Sequence, residues 1–536
     1  MRALLTLLCA ALALPVLALL GSWFAFDAGA LAVLTHQAQT VLGGYALQSL
    51  LLSLGVAVGV AAVGVGGAMA VALFRFPGRA MFEWALLLPM AMPAYVLAYA
   101  YTDALQFSGP IQSTLRALFG LRGALWPDVR SLWAAVILFV LCLYPYVYLL
   151  TRAALGERAV QLMEAARLLG AGLRRRLLAV ALPLARPAVV AGVALALMET
   201  LADYGVGAYF GLTTFTTGIY RAWLSMNDAT AAAQLASILL VLVALLLAVE
   251  RRAQSRLRFS TSRGGAQHAS DAQPVLLRGL PALVATLVCA LPVLLGFVLP
   301  VLWLGAMLWR EVTTSDFGLP LDRFVQWAWA SFRLAGITAV AATLLALTLA
   351  FALRQRSGPA DAVLAASARV LALGYAVPGA VVAIGILLPV AWVQARWPEL
   401  GLGALVTSTV AGVLFAYLVR FSAVALQTVE AGYARVPPSV DETARMLGAG
   451  RARTFWRLHL PLLRRSALAA TLLVFVDTMK ELPATLVLRP FGSDTLAVVA
   501  YNFARDERLA EASLPSLAIV AVGLIPVVML ARAMRQ

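Results

Sequence analysis

Long apolar stretches recur along the whole chain, most of them near or above the roughly 20 residues that cross about 30 Å of hydrocarbon at 1.5 Å per residue. In the first half they run over about residues 3–22, 46–73, 83–104, 131–151, 186–210 and 232–250. In the second they run over about 280–308, 331–353, 367–391, 405–426, 466–488 and 515–534, each bounded by Gly, Pro or charge. The expected fold class is therefore an all-α polytopic membrane protein with about twelve transmembrane helices, six per half. A soluble fold fails on composition: of 536 residues 62% are hydrophobic and 12% charged, too little polar surface to cover a particle of this size.

The net charge of +16 is not gathered into a basic domain with aromatic platforms, so nucleic acid is not the expected partner. Arginine instead accumulates in alternate loops: at Arg75 and Arg79, from Arg152 to Arg186, from Arg251 to Arg278, at Arg354 and Arg356, from Arg420 to Arg465, and at Arg532 and Arg535. Short basic loops mark the cytoplasmic side, which places both termini there, although Arg116, Arg122 and Arg130 on the other side dilute the bias. Loops carrying Asp27, Asp128, Asp228, Asp316 and Asp506 then face the periplasm. The first segment resembles a signal peptide as well as a span. It is expected to be retained, because its loss would leave an odd number of spans and set two matching basic loops on opposite faces. Cys9, Cys142 and Cys289 lie in apolar segments without partners at ligand spacing and read as small core residues.

Residues 251–279 are rich in Arg, Ser, Gly and Gln and read as a flexible cytoplasmic linker between a first membrane domain, 1–250, and a second, 280–536. The two are copies of one unit. The first long basic loop contains Glu164-Ala165-Ala166-Arg167-Leu168-Leu169-Gly170 and then Val180-Ala181-Leu182-Pro183. The second contains Glu442-Thr443-Ala444-Arg445-Met446-Leu447-Gly448 and then Leu458-His459-Leu460-Pro461. A constant offset of 278 residues relates every element of the pair, which points to duplication. An even number of spans per copy keeps both copies in one orientation. Each loop is expected to form two short helices, the first ended by a Gly at positive φ and the second ended near the Leu-Pro pair. Such a knuckle, with Arg174, Arg175 and Arg176 beside it, suits an acidic or mixed-charge partner surface; an amphipathic helix lying on lipid headgroups is the alternative.

Both loops resemble the Glu-Ala-Ala loop of binding-protein-dependent ABC importer permeases, with Thr443 in place of Ala as the one departure. Within that family Asp203-Tyr204-Gly205, the stretch from Phe215 through Thr216, Thr217, Gly218, Ile219, Tyr220, Arg221 and Ala222 to Trp223, Lys480-Glu481-Leu482-Pro483-Ala484-Thr485 and Arg489-Pro490-Phe491 are similar to the fused permeases of ferric-iron importers. Related fused permeases serve thiamine and phosphonates. The resemblance implies that Glu164, Ala165, Ala166, Gly170, Leu182 and Pro183, with Glu442, Ala444, Gly448, Leu460 and Pro461, belong to coupling loops that dock two copies of a separate ATPase subunit. A periplasmic binding protein would deliver the substrate, and the chain would sit in the bacterial inner membrane.

No Gly-x-x-x-x-Gly-Lys-Ser/Thr loop is present, and the single lysine, Lys480, lies in an apolar segment, so this chain is not expected to be an enzyme or to bind a cofactor. ATP and Mg would reside on the partner ATPase. No His/Cys ligand cluster or Ser/His/Asp constellation is apparent. Glu199 and Asp203 in span five map onto Asp477 and Glu481 in span eleven at the 278 offset, and their i, i+4 spacing puts both carboxylates of each pair on one helical face. Intramembrane carboxylates turn toward a cavity or a partner. They either offer transient oxygen ligands to a hard cation along a translocation pathway, or they pack and gate with Lys480, Thr200 and Thr478. Pro89, Pro93 and Pro378 are expected to interrupt spans three and nine. Tyr95, Tyr99 and Tyr101 beside the first break line a pathway or form an interface belt. An ion-coupled secondary transporter and a membrane scaffold are the competing functional classes; the first would leave the paired loops without a purpose.

Overall fold

The computed structural model describes residues 2–25, 28–261, 274–314, 320–355, 360–434 and 436–533. Asp27, Asp316, Arg356, Arg535 and residues 262–273 of the expected linker lie outside the described residues. Among the described residues eleven helices are long and apolar enough to cross a bilayer, and a bent pair, Arg79–Ala91 with Ala94–Phe119, makes a twelfth if its halves are one span. Each of the twelve expected segments finds its helix. This is the architecture hydrocarbon demands, since a helix satisfies its backbone amides and carbonyls within one segment.

The proline breaks fall where the missing amides put them. Pro93, at φ −62° and ψ 142°, leaves helical geometry immediately before the Ala94–Leu105 helix, and the two halves of that span diverge by 90°. Pro378, at φ −57° and ψ 142°, does the same before Gly379–Arg396. A short 3₁₀ turn precedes each, Leu88–Ala91 and Gly374–Ala376.

The described helices group into two compact units, and neither is a half of the sequence. One comprises Met1–Gln37, Ile219–Leu240 and Pro320–Val499; the other comprises Ala38–Gly218, Val241–Leu319 and Ala500–Gln536. In the second, Leu42–Leu73 packs along Leu132–Leu155 and Leu182–Ala202, while Leu280–Val293 lies against Leu42–Leu73 and Leu299–Thr314 against Leu509–Ala533. In the first, Leu321–Arg354, Ala411–Tyr433 and Leu460–Met479 pack mutually, as their 278-offset counterparts do. Buried Ala335, Ala339, Ala342 and Ala346 let that helix approach its neighbours closely, the small-residue packing that replaces the hydrophobic drive inside lipid.

The N-terminal helix Arg2–Gly21 belongs to the unit built mostly from the second half, where it lies on Gly379–Arg396 and Ala360–Leu371. The contact is backbone to backbone: a Cβ on Gly385 would stand 2.3 Å from the Pro15 carbonyl oxygen. The expected linker is also partly ordered structure. The Ala229–Thr261 helix runs on past Arg251, and Val275 and Leu276 form a short parallel pairing with Phe74 and Arg75.

Because Gly385 has no room for a side chain, Gly385→Val is expected to lower stability by about 1–3 kcal/mol through overpacking. Gly336→Ala, where nothing lies within 4 Å, is the control expected to be neutral. Thermal midpoints of the purified full chain would compare them, and an unchanged midpoint for Gly385→Val would show that the N-terminal helix does not dock there.

Candidate functional site

The two basic loops adopt one construction twice. The Glu157–Leu168 helix ends with Gly170 at φ +79°, the Gly170 amide on the Arg167 carbonyl at 2.9 Å and the Ala171 amide on the Ala166 carbonyl at 2.9 Å. The Ser439–Met446 helix ends with Gly448 at φ +71°, with matching bonds from Gly448 to Arg445 and from Ala449 to Ala444, both 3.0 Å. These are Schellman closures, which require a residue tolerant of the left-handed region and so explain both glycines. Each closure leaves two large apolar side chains facing outward at the tip: Leu168 and Leu169 at 80% and 89% exposure, Met446 and Leu447 at 89% and 81%. Glu164 pairs with Arg167 at 2.5 Å, whereas Thr443, like Ala165, is exposed, so the departure from the Glu-Ala-Ala pattern disturbs no packing.

The second helix of each loop does not end at the Leu-Pro pair as the sequence suggests. Leu173–Arg176 passes through a π turn, Leu177–Ala181, into the long Leu182–Ala202 helix; Arg451–Thr454 passes through Phe455–His459 into Leu460–Met479. The amides of Leu182 and Leu460 reach back five residues, to Leu177 and Phe455. The widened turn accommodates Pro183 and Pro461, which have no amide to donate, at the start of the resumed helix. Each knuckle is thus one rigid piece with a membrane-crossing rod.

The copies differ in how the knuckle is anchored. In the second, buried Asp441 accepts from Arg354 Nε at 2.6 Å and lies 2.8 Å from His459 Nε2, while Arg354 also donates to the Val436 and Pro437 carbonyls. In the first, the positions of Asp441 and His459 are held by buried Met163 and Ala181. Of the Arg174–Arg176 cluster, Arg174 and Arg175 are exposed and Arg176 is buried.

The intramembrane carboxylates are not paired on one helical face. The helix carrying Glu199 ends at Ala202 and the helix carrying Asp477 ends at Met479, so Asp203 and Glu481 lie in breaks, where Gly205 and Pro483 begin new short helices. Each caps the helix that follows: Asp203 Oδ1 accepts the Val206 amide at 2.8 Å, and Glu481 Oε1 accepts the Ala484 amide at 2.9 Å. Glu481 is buried and saturated, accepting further from Arg420 at 2.9 Å, the Thr485 amide at 3.1 Å and the Thr485 hydroxyl at 2.5 Å, which Tyr417 contacts in turn. Asp477 pairs with Lys480 at 3.2 Å, while Thr200 bonds the Ala196 carbonyl rather than a carboxylate. Thr216, in the stretch resembling ferric-iron permeases, donates to the Asp203 carbonyl at 2.8 Å.

Arg420, counted from the sequence among cytoplasmic charges, is instead buried within the Ala411–Tyr433 helix as the partner of Glu481. Its counterpart at the 278 offset is buried Cys142, and that mismatch was the available signal. Sequence alone singled out neither Tyr209, whose ring lies 4.9 Å from that of Tyr99, which in turn meets Tyr95, nor Tyr501, whose ring lies 5.8 Å from that of Tyr204. Cys9, Cys142 and Cys289 are buried and not joined in disulfides.

Residues 62–259 and 361–536 match the family described as "Binding-protein-dependent transport system inner membrane component", once in each half. The chain is similar to the Fe(3+)-transport system permease protein FbpB 2 of Haemophilus influenzae, 26% identical over 493 residues that cover 90% of this chain and 88% of that protein. It is similar to the ferric transport system permease protein FbpB of Actinobacillus pleuropneumoniae, 24% identical over 84% of this chain and 65% of that one. A shorter relative, the molybdenum transport system permease protein ModB of Escherichia coli, is 32% identical over 32% of this chain and 76% of its own length.

Removing one partner of a buried ion pair strands the other, at a cost of about 3–5 kcal/mol. Arg420→Met is therefore expected to depress the thermal midpoint sharply, and Arg420→Met/Glu481→Gln to recover much of the loss. Equal destabilisation by the single and double variants would show that Arg420 acts by packing alone.

Proposed function

Because the chain belongs to the family of binding-protein-dependent transport system inner membrane components, and is thus an ABC importer permease of the multi-pass inner-membrane type, we propose that its cargo is ferric iron. The observation that carries this reading is the extent of the match. The Fe(3+)-transport permease aligns over 90% of the chain, both halves and their junction included, whereas the molybdenum permease aligns over 32%. Thiamine or a phosphonate is the alternative cargo for a fused permease. Family membership leaves the paired loops their purpose and sets aside an ion-coupled secondary transporter.

Energy would enter at the two knuckles. Their exposed apolar tips are suited to burial in a partner, and two copies of an ATPase subunit, holding ATP and Mg, would each take one. A rigid connection from each knuckle into a membrane-crossing helix would carry ATPase closure to the breaks at Asp203 and Glu481. The arginine-rich loops and both termini would face the cytoplasm, and a periplasmic binding protein would load the opposite side. Of the carboxylates assigned to the translocation route, Asp477 is engaged by Lys480 and Glu481 by Arg420, which makes Asp203 the group to meet cargo.

Uptake of radiolabelled ferric iron by cells lacking the chain tests both parts. Wild type is expected to restore uptake, whereas Leu169→Asp/Leu447→Asp and Gly170→Pro/Gly448→Pro, verified in the membrane, are expected to fail. Full activity of both double variants would overturn coupling through the loops; no iron uptake with wild type would overturn the cargo.

A further inference from the structure

The two compact units carry the same break in the same register but surround it with different chemistry. At Glu481 the carboxylate is neutralised by Arg420, Tyr417 is bonded to Thr485 beside it, and Leu482, Val487 and Ile384 stand at the positions compared below. At Asp203 the position of Arg420 is held by Cys142, and among the described residues no cationic side chain lies within ion-pair distance. The charged side chain that acts on it is another carboxylate, Glu199. Phenols replace the aliphatic residues: Tyr204 stands for Leu482 and Tyr209 for Val487 at the 278 offset, and Tyr99 for Ile384 when the breaks are aligned on Pro93 and Pro378.

These phenols converge. Tyr99 is fully buried, with Tyr95, Tyr209, Tyr501 and Asp203 as its electrostatic neighbours. Its ring meets that of Tyr209 edge-on at 4.9 Å, and the Tyr204 and Tyr501 hydroxyls lie 3.4 Å apart. Tyr209 is fixed on the far side by Arg130, which donates to its hydroxyl at 3.2 Å and is itself neutralised by Glu507 at 2.7 Å. The Tyr99 hydroxyl has no hydrogen-bond partner among the described residues. Packing does not call for it: phenylalanine would fill the same space without burying an unpaired polar atom. A half-buried carboxylate with no cationic side chain at ion-pair distance, beside a buried phenol with no hydrogen-bond partner among the described residues, is a site short of a cation.

We propose that Asp203 with Tyr99, Tyr204 and Tyr501 forms a transit site for ferric iron, one per chain because Glu481 is already neutralised by Arg420 and the phenol beside it, Tyr417, is bonded to Thr485. The inference rests on the ferric reading above. Carboxylate and phenolate oxygens are hard ligands suited to a hard trivalent cation. One carboxylate and two phenolates offset its three charges, each of those phenols releasing a proton as the iron binds and regaining one as it leaves; the third hydroxyl remains a neutral ligand. An oxyanion such as molybdate would meet the wrong sign of charge here.

The test titrates ferric nitrilotriacetate into the full-length chain in lipid nanodiscs and records the visible charge-transfer band of ferric phenolate, alongside ferric-iron uptake in cells. Wild type is expected to show the band. Tyr99→Phe and Tyr501→Phe are expected to weaken iron binding by about tenfold or more, as outer-shell partners alone are worth that much, and the double variant, which keeps Tyr204 as its one phenol, to weaken the band further and abolish uptake. Tyr433→Phe, in the other compact unit, is the control expected to change neither. Because the Tyr99 hydroxyl bonds nothing, its removal spares the fold, which an unchanged thermal midpoint would verify. Uptake by wild type with no band, or uptake undiminished in the double variant, overturns the site while leaving iron as cargo; no uptake by wild type overturns both.

Discussion

A helix that stops inside hydrocarbon exposes amides and carbonyls where water cannot meet them, and the interior of this chain depends on how its stops are closed. Two lie at equivalent places, after Ala202 and after Met479, and each is closed by an acidic side chain capping the short helix that follows. The cap solves one problem and makes another, since it places a carboxylate where an uncompensated charge is costly. Glu481 resolves it within the chain through Arg420, Thr485 and two amides. Asp203 keeps the cap but has Cys142 where the guanidinium would be. Duplication supplied the same scaffold twice, and divergence made one copy a structural pivot and the other a place where charge is left available.

The same division of labour appears at the basic loops. The glycine-terminated turn and the π-turn connection are identical in both copies, because their form follows from backbone geometry at Gly170 and Gly448 and from missing amides at Pro183 and Pro461. The anchoring differs: a buried Arg354–Asp441–His459 arrangement in one copy, Met163 and Ala181 at the matching positions in the other. Polar anchoring fixes one orientation through directional bonds, whereas an apolar seat tolerates small displacements.

The spans, the duplication and the glycine stops were legible in the sequence because each rests on a local rule: length of apolar run, spacing of a motif, a residue able to hold positive φ. The i, i+4 reading of Glu199 with Asp203 and of Asp477 with Glu481 failed because periodicity presumes a continuous helix, and Gly205 and Pro483 lie just beyond the acids. The Leu-Pro pairs misled in the opposite sense. Proline signals an end, but a π turn absorbs its missing amide without ending the rod. Arg420 was mistaken for a loop charge because its partner, Glu481, is sixty-one residues away in sequence and hydropathy alone cannot pair them. The grouping of phenols was hidden for the same reason: Tyr99 and Tyr204 could be named singly, but they and Tyr501 come from three distant segments that only packing unites.

The interleaving of the units has a consequence for how the protein is made. The unit that contains Met1–Gln37 also needs Pro320–Val499, so the Arg2–Gly21 helix is synthesised well before the helices it packs on. The other unit, in turn, draws on Ala38–Gly218, Val241–Leu319 and Ala500–Gln536. Neither unit comes from one contiguous stretch, so early segments must dwell in the bilayer before their packing partners are made. Cutting such a gene at its midpoint would not yield two independent proteins. It would yield two polypeptides each lacking helices held by the other, whose folding would become a second-order process governed by their meeting; a single reading frame turns that encounter into an intramolecular one and fixes the stoichiometry at one to one.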